Sequence, residues 1–171
     1  PESPPSPWPL RRALVATWKR KLEEEPPCAP EVVESLLRKL ASPPEFFLPP
    51  ASVGHTRQYM PWYKKGPYDR TMVFDAFVAL EKSAEMVVLW PDVLLEKGER
   101  DALSKIADCL GYLGRAESWS ESRVLSETEV LEIVPRINCY PAGQREALSP
   151  METVSLLCAD SEGAFENEYT P

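Results

Sequence analysis

The segment Ser52–Leu80, SVGHTRQYMPWYKKGPYDRTMVFDAFVAL, joins a polar loop rich in aromatic and basic residues to the most strand-like run of the chain. Rings and cations are concentrated between His55 and Arg70, whereas Thr71–Leu80 is almost wholly apolar, with Asp75 as its only charge. A loop of stacking rings and cations carried by a buried strand is a common way to build an RNA-binding surface. A long surface loop beside a core strand explains the same composition equally well, so both interpretations stay open at this point.

Length and charge limit what the protein can be. Its 171 residues can form one domain with a sizeable core, and a composition that is 43% hydrophobic and 27% charged is typical of a soluble globular protein. No apolar run is long enough to cross a bilayer and no signal peptide is visible, so we expect a cytoplasmic protein. The formal charge of −8 argues against binding nucleic acid through overall charge, although screening over about 8 Å at physiological salt still allows a local basic strip.

The cysteines and histidine do not indicate a metal site. Cys28, Cys109, Cys139 and Cys158 are widely spaced and form no CxxC pair, and the chain has one histidine. We therefore expect free, reduced thiols and no zinc. A Gly-rich phosphate loop, a nucleophile elbow and carboxylates with metal-ligand spacing are also absent from the sequence, which predicts no cofactor.

Helical periodicity predicts two helices before Ser52–Leu80 and one after it. Their apolar stripes run through Leu10–Leu22, Val32–Leu40 and Leu94–Leu110, and prolines or glycines follow each of them. The first helix has an opposite, cationic face that we expect to be solvated. That face consists of Arg11, Arg12, Lys19, Arg20 and Lys21.

Two strand-like runs flank the polar turn EKSAE, namely Met72–Leu80 and Met86–Trp90. Together they predict a β-hairpin. Weak alternation over His55–Met60 indicates a further strand within the loop, and Arg115–Trp119, after the third helix, is expected to form the last strand.

The order helix, strand, strand, helix, strand is that of a βαββαβ ferredoxin-like, or RRM-like, unit without its first strand. We therefore expect an α+β, ferredoxin-like domain over residues 1–120, with an inserted loop or hairpin and an additional helix. Its first strand is expected to precede Pro1. Residues 121–171 are expected to form a C-terminal extension that leads toward a second domain.

Five motifs, in order along the chain, resemble one known family. They are SPWPLRRALVATW near the start, VGHTRQYMPW in the loop, MVFDAFVAL in the strand, LWPDV after the predicted hairpin and LGYLGRAESW after the third helix, and they span about Ser6–Trp119. The set resembles the RAMP subunit of type I-G (formerly I-U) CRISPR systems. That family is a fusion of a Cas-five-like half, which holds the 5′ handle of the CRISPR RNA, to a Cas-six-like ribonuclease half. The match is to the first half, and no counterpart of the nuclease half is found.

The resemblance implies a ferredoxin-like RAMP domain in which the handle RNA lies against the sheet and the loop before the central hairpin. It also implies a structural, RNA-binding subunit that caps one end of a CRISPR surveillance (Cascade) complex in antiviral defence. The other partners would be the subunits of the backbone filament and the large subunit, with target DNA nearby.

Candidate RNA contacts follow from the same resemblance. Arginine binds phosphate through paired hydrogen bonds, and an aromatic ring stacks on an unpaired base at ~1–3 kcal/mol. The candidates are His55, Thr56, Arg57, Tyr59 and Trp62 first, Lys64 and Lys65 second, and Arg115 and Trp119 third. A structural interpretation is open for several of them, since Tyr59 and Trp62 could anchor the loop by burial and Arg115 could pair with Glu117.

Catalysis is the main alternative to binding. Because His55 is the only histidine, a two-histidine acid–base site is impossible, although His55 with Arg57, Tyr59 or Lys64 could cleave RNA without a metal. The resemblance assigns ribonuclease activity to the other half of the fusion, so we expect this segment to bind RNA without cleaving it. A CRISPR RNA-processing endoribonuclease and a protein-assembly domain that does not contact RNA are the two alternatives.

Overall fold

The structure, a computed structural model, describes residues 3–61, 70–114, 118–142 and 152–158. It belongs to the α+β class, as expected. The elements are α1 (Pro7–Lys21), α2 (Pro30–Lys39), β1 (Glu45–Phe47), β2 (Ala51–Pro61), β3 (Arg70–Leu80), β4 (Val87–Leu89), α3 (Lys97–Asp108) and α4 (Glu127–Ile133), followed by a 3-10 turn (Val134–Arg136). In the described part of the chain, no helix has both the length and the apolar composition that crossing a membrane requires.

Helices α1, α2 and α3 form the hydrophobic core. Prolines occupy the first positions of α1 and α2, where their missing N–H groups cost no helical hydrogen bond. The apolar stripes of the three helices meet around Trp18, Leu36, Leu37 and Ile106, which are almost completely buried. The indole Nε1 of Trp18 donates a 2.9 Å hydrogen bond to the carbonyl of Cys28, so its polar atom is satisfied inside the core. All four cysteines are free thiols.

The cationic side of α1 differs from the prediction at one residue. Arg12, Lys19, Arg20 and Lys21 are exposed as expected, but Arg11 is only 3% exposed. The buried face of α1 is wider than a single i, i+4 row and includes Arg11, which counting along that row assigned to solvent. Desolvation by this burial lowers the pKa of Arg11.

The strands form two separate antiparallel pairs. The short pair β1–β4 matches Phe46 to Val88, and Phe46 also bridges to Cys139 on its other side. The long pair β2–β3 has eleven matched residue pairs, from Ala51↔Leu80 to Pro61↔Arg70. It lies between β1 and β4 in the chain, and its contacts are mainly internal. We call this long two-stranded hairpin the arm.

The predicted hairpin between Met72–Leu80 and Met86–Trp90 is wrong, because β3 pairs with β2 and β4 pairs with β1. The turn EKSAE has a suitable length for a hairpin, but strand propensity does not specify which partner a strand takes. Met72–Leu80 was also expected to be buried, and its side chains are half-buried or exposed throughout. The predicted last strand falls partly outside the described residues, since 115–117 are not among them, while Trp119 forms an isolated antiparallel bridge with Tyr112.

Candidate nucleic-acid interface

The arm presents two chemically different faces. Residues that are directly opposite in an antiparallel pair point to the same side, and successive residues alternate between sides. The register therefore places alternate residues of β2, from Ala51 to Tyr59, on one face with alternate residues of β3, from Arg70 to Leu80. We call this side the cationic face, because it carries His55, Arg57 and Arg70. The one carboxylate of β2 and β3, that of Asp75, lies on the other side.

Phe74 lies at the centre of the cationic face. The guanidinium carbon of Arg57, its direct partner across the strands, is 5.3 Å from the centre of the Phe74 ring. The His55 ring lies 6.4 Å from the same ring, tilted by 38°. A cation over an exposed ring contributes about 0.5–1 kcal/mol, which holds Arg57 beside Phe74 without burying it. Because the Phe74 ring is 56% exposed, most of it is accessible for a further stacking partner.

The cationic face is positively charged in a protein whose formal charge is −8. Arg57 and Arg70 carry fixed positive charges, and the imidazole of His55 lies on the same face. With a screening length of about 8 Å at physiological salt, these local cations determine the potential above the face more than distant carboxylates do. The face therefore combines attraction for phosphate with exposed rings.

The opposite face is held by contacts within the arm. A Cβ atom on Gly54 would lie 2.6 Å from the tip of the Phe77 ring, so the ring of this cross-strand partner covers the glycine closely. The amide Nε2 of Gln58 donates a 3.2 Å hydrogen bond to Oδ2 of Asp75. These contacts stabilise the hairpin.

The structure brings together three of the predicted contacts and separates others. His55, Arg57 and Tyr59 share the cationic face, and all three are exposed, so Tyr59 does not anchor a loop by burial. Thr56 is opposite Asp75 and lies on the other face. Trp119 is 86% exposed beside Tyr112, after α3 and away from the arm in the chain. Trp62, Lys64, Lys65 and Arg115 lie outside the described residues.

Phe74 and Arg70 were not among the candidates. Phe74 lies in the apolar run that composition assigned to a core strand, and Arg70 directly precedes that run. Only the β2–β3 register shows that both share a face with the cations of β2. Their signal in the sequence was the alternation Arg70, Met72, Phe74, which places a cation and a ring on one side of β3.

Acid–base or metal chemistry gains no support from the geometry. Among the described residues, His55 makes no side-chain hydrogen bond that could orient it or tune it as a general base. In the same part of the chain, no three His, Cys, Asp or Glu side chains come together in a way that could hold a metal ion.

Comparisons with protein-family models, with curated proteins and with solved structures found no match to this chain.

Proposed function

We propose that the chain is an RNA-binding subunit of a type I CRISPR surveillance complex, in which the arm holds the 5′ handle of the CRISPR RNA. One observation carries this proposal: the cationic face sets the exposed Phe74 ring between Arg57 and His55, and the one carboxylate of β2 and β3, Asp75, lies on the other side. Phosphate-binding cations that alternate with stacking rings are the arrangement by which proteins bind unpaired nucleotides. The five motifs of the resemblance give the proposal its family and its partners.

The roles of the side chains follow from their chemistry. Arg57 and Arg70 would bind phosphates of the handle, while Phe74 and Tyr59 would stack on its bases. Eleven residues of extended strand span about 36 Å, which is long enough to contact several unpaired nucleotides along one face. The role is one of binding without cleavage.

The proposal includes a ferredoxin-like RAMP fold as the frame of the arm. The order α2, β1, β4, α3 is the helix–strand–strand–helix middle of that fold, and the antiparallel β1–β4 pair would be its central hairpin. The arm is then an insertion between the two strands of this hairpin. In this arrangement the subunit would act in the cytoplasm, beside the backbone filament and the large subunit.

A protein-assembly domain is the second candidate, and exposed apolar side chains on the arm favour it. Val53 is 76% exposed, and Met60 and Leu80 are each close to half exposed. Apolar surface of this kind often marks contacts between proteins. The two candidates differ in one respect, because only an RNA site needs Arg57 and Phe74 on the same face.

The proposal is tested with fluorescence anisotropy of a labelled single-stranded RNA that carries the 5′ handle. We expect Phe74→Ala to weaken binding by the ~1–3 kcal/mol of one stacked base. Arg57→Ala should weaken binding and lower the slope of log affinity against log salt by about 0.7–1. The matched control is Gln58→Ala, one residue along β2 on the opposite face, which should bind as the wild type does.

Two results would contradict the proposal. Unchanged affinity and salt dependence in both Arg57→Ala and Phe74→Ala would favour the assembly domain. Specific cleavage of the RNA by the wild type, lost in His55→Ala while binding is kept, would establish the endoribonuclease instead.

A further inference from the structure

An open cavity of about 670 Å³ lies at the foot of the arm. It is bounded by the first residue pairs of the arm, by Phe47 and Pro50 before it, by the turn 81–85 after it and by Arg136. This size falls within the range of small-molecule sites and is sufficient for a nucleotide. Leu80, which belongs to the cationic face, forms part of the wall, so RNA that follows this face toward the foot of the arm reaches the cavity.

Arg136 gives the cavity a stacking surface. Its guanidinium carbon is 4.4 Å from the centre of the Phe47 ring, and the side chain is exposed on the cavity side. Unpaired bases stack on arginine planes and on aromatic rings, and an arginine that already rests on a ring is positioned to receive one.

The segment that follows Arg136 is hydrogen-bonded to β1 and to the residue after it. Asn138 forms two hydrogen bonds with the backbone of Leu48: its Oδ1 accepts from the Leu48 N–H at 2.9 Å, and its Nδ2 donates to the Leu48 carbonyl at 2.8 Å. The next residue, Cys139, forms the bridge with Phe46. Phe47 is therefore flanked on both sides by residues that are bonded to the segment directly after Arg136, which preorganises the surface.

Two carboxylates, Glu81 and Glu85, also line the cavity. Together with Arg136 they give the wall a formal charge of −1, which disfavours a phosphate and favours a neutral group that donates hydrogen bonds. A carboxylate accepts two parallel hydrogen bonds, one at each oxygen. Guanine is the base that presents two adjacent donors, N1–H and the N2 amino group. Adenine and cytosine place an acceptor nitrogen beside their amino group, and uracil offers one N–H between two carbonyls.

We propose that this cavity binds an unpaired guanine of the bound RNA, stacked on Arg136 and donating its N1–H and N2–H to the carboxylate of Glu81 or Glu85. The proposal rests on the RNA-binding function proposed above and adds base selectivity at a defined place. The cationic face supplies affinity for any single strand, and the cavity distinguishes one base.

The test measures binding of short labelled oligouridines that carry one central guanosine, adenosine or inosine. Inosine keeps N1–H but lacks the N2 amino group. We expect the guanosine RNA to bind about tenfold more tightly than the adenosine RNA, with the inosine RNA in between. The double variant Glu81→Gln, Glu85→Gln should lose this preference and keep its affinity for plain oligouridine. The matched control, Glu132→Gln, changes an exposed carboxylate of α4 outside the cavity and should keep the preference.

Arg136 is tested by two replacements. Both Arg136→Ala and Arg136→Lys should reduce the preference for guanosine, because the ammonium group of lysine keeps the charge but has no plane on which a base can stack. A lysine variant with wild-type preference would show that only the charge matters and would overturn the stacking role.

The outcomes separate the two proposals. If the wild type binds all the RNAs equally well, the guanine site is wrong and the RNA-binding function stands. If none of the RNAs binds, both are wrong. If the preference for guanosine persists in the double glutamine variant, the site lies elsewhere on the protein.

Discussion

At the scale of single residues, two of the buried ionisable side chains, Arg11 and Glu99, are in opposite situations. The guanidinium of Arg11 is buried, and its Nε and Nη1 atoms have no hydrogen-bond partner among the residues that the structure describes. The carboxylate of Glu99 is equally buried but accepts hydrogen bonds from Ser35 Oγ at 2.7 Å, from Lys39 Nζ at 2.6 Å and from the Glu96 N–H at 2.8 Å. A buried charge is destabilising unless it is paired and hydrogen-bonded, so these two residues should respond in opposite ways to replacement.

Replacing Arg11 by methionine should not destabilise the protein. The variant keeps the apolar stem and removes a desolvated charge, so we expect its free energy of unfolding to equal or exceed that of the wild type, by up to about 1–2 kcal/mol. Urea unfolding, followed by far-UV circular dichroism, measures the difference. The control Arg20→Met, on the exposed side of α1, should change it by less than about 0.5 kcal/mol. A loss of several kcal/mol in Arg11→Met would show that the guanidinium has a partner.

Glu99 should make stability depend on pH. Burial alone raises the pKa of this carboxyl, but the hydrogen bonds from Lys39, Ser35 and Glu96 outweigh it and the net pKa is lowered. Because the folded pKa lies below the unfolded value of about 4.3, the stabilisation is present above that value and is lost as pH falls through the folded pKa. The wild type should therefore lose more stability than Glu99→Gln between about pH 5 and pH 3, measured by urea unfolding.

A matched control for this pH effect is Glu24→Gln, which removes an exposed carboxylate. Its pH profile should follow that of the wild type. If Glu99→Gln follows the wild type as well, the Glu99 network does not contribute to the acid sensitivity.

At the scale of elements, the sequence predicted α1, α2 and α3 but missed α4 and the pairing of the strands. The apolar stripe Val32–Leu40 is a local pattern, and α2 (Pro30–Lys39) forms over it as expected. The partner of Met72–Leu80 is a non-local property, since both β2 and β4 are close enough in the chain to pair with it. Arg57 and Phe74 share a face because of this register. The half of the candidate site that lies on β3 could therefore not be predicted before the pairing of β2 with β3 was known.

We expect the arm to unfold independently of the helical core. An isolated two-stranded hairpin is marginally stable in water, and the Phe77 ring over Gly54 is one of the contacts that hold it. We expect Phe77→Ala to increase amide hydrogen exchange in β2 and β3, while the thermal midpoint of the helical core changes by less than about 2 °C. Hydrogen-exchange mass spectrometry and far-UV circular dichroism measure the two quantities. A parallel drop in the core midpoint would show that the arm and the helices unfold together.

At the scale of the whole molecule, an acidic protein carries a local cationic and aromatic surface on the arm. The arm lies between β1 and β4 in the chain. Net charge argued only against binding nucleic acid through overall charge, because a sum over the chain does not show where the charges lie. An acidic body with a cationic arm would restrict RNA to the arm through repulsion elsewhere. The binding should therefore be strongly weakened by salt, despite the charge of −8.

Photo-crosslinking of a 4-thiouridine-substituted, single-stranded handle RNA, followed by mass spectrometry of the crosslinked peptides, tests the central claim most directly. We expect the crosslinks to fall on the cationic face, at Tyr59 and Phe74, and to disappear when Arg57 and Arg70 are both replaced by alanine. Crosslinks that lie only outside the arm, or that persist unchanged in the double alanine variant, would contradict the assignment of the arm as the RNA-binding element.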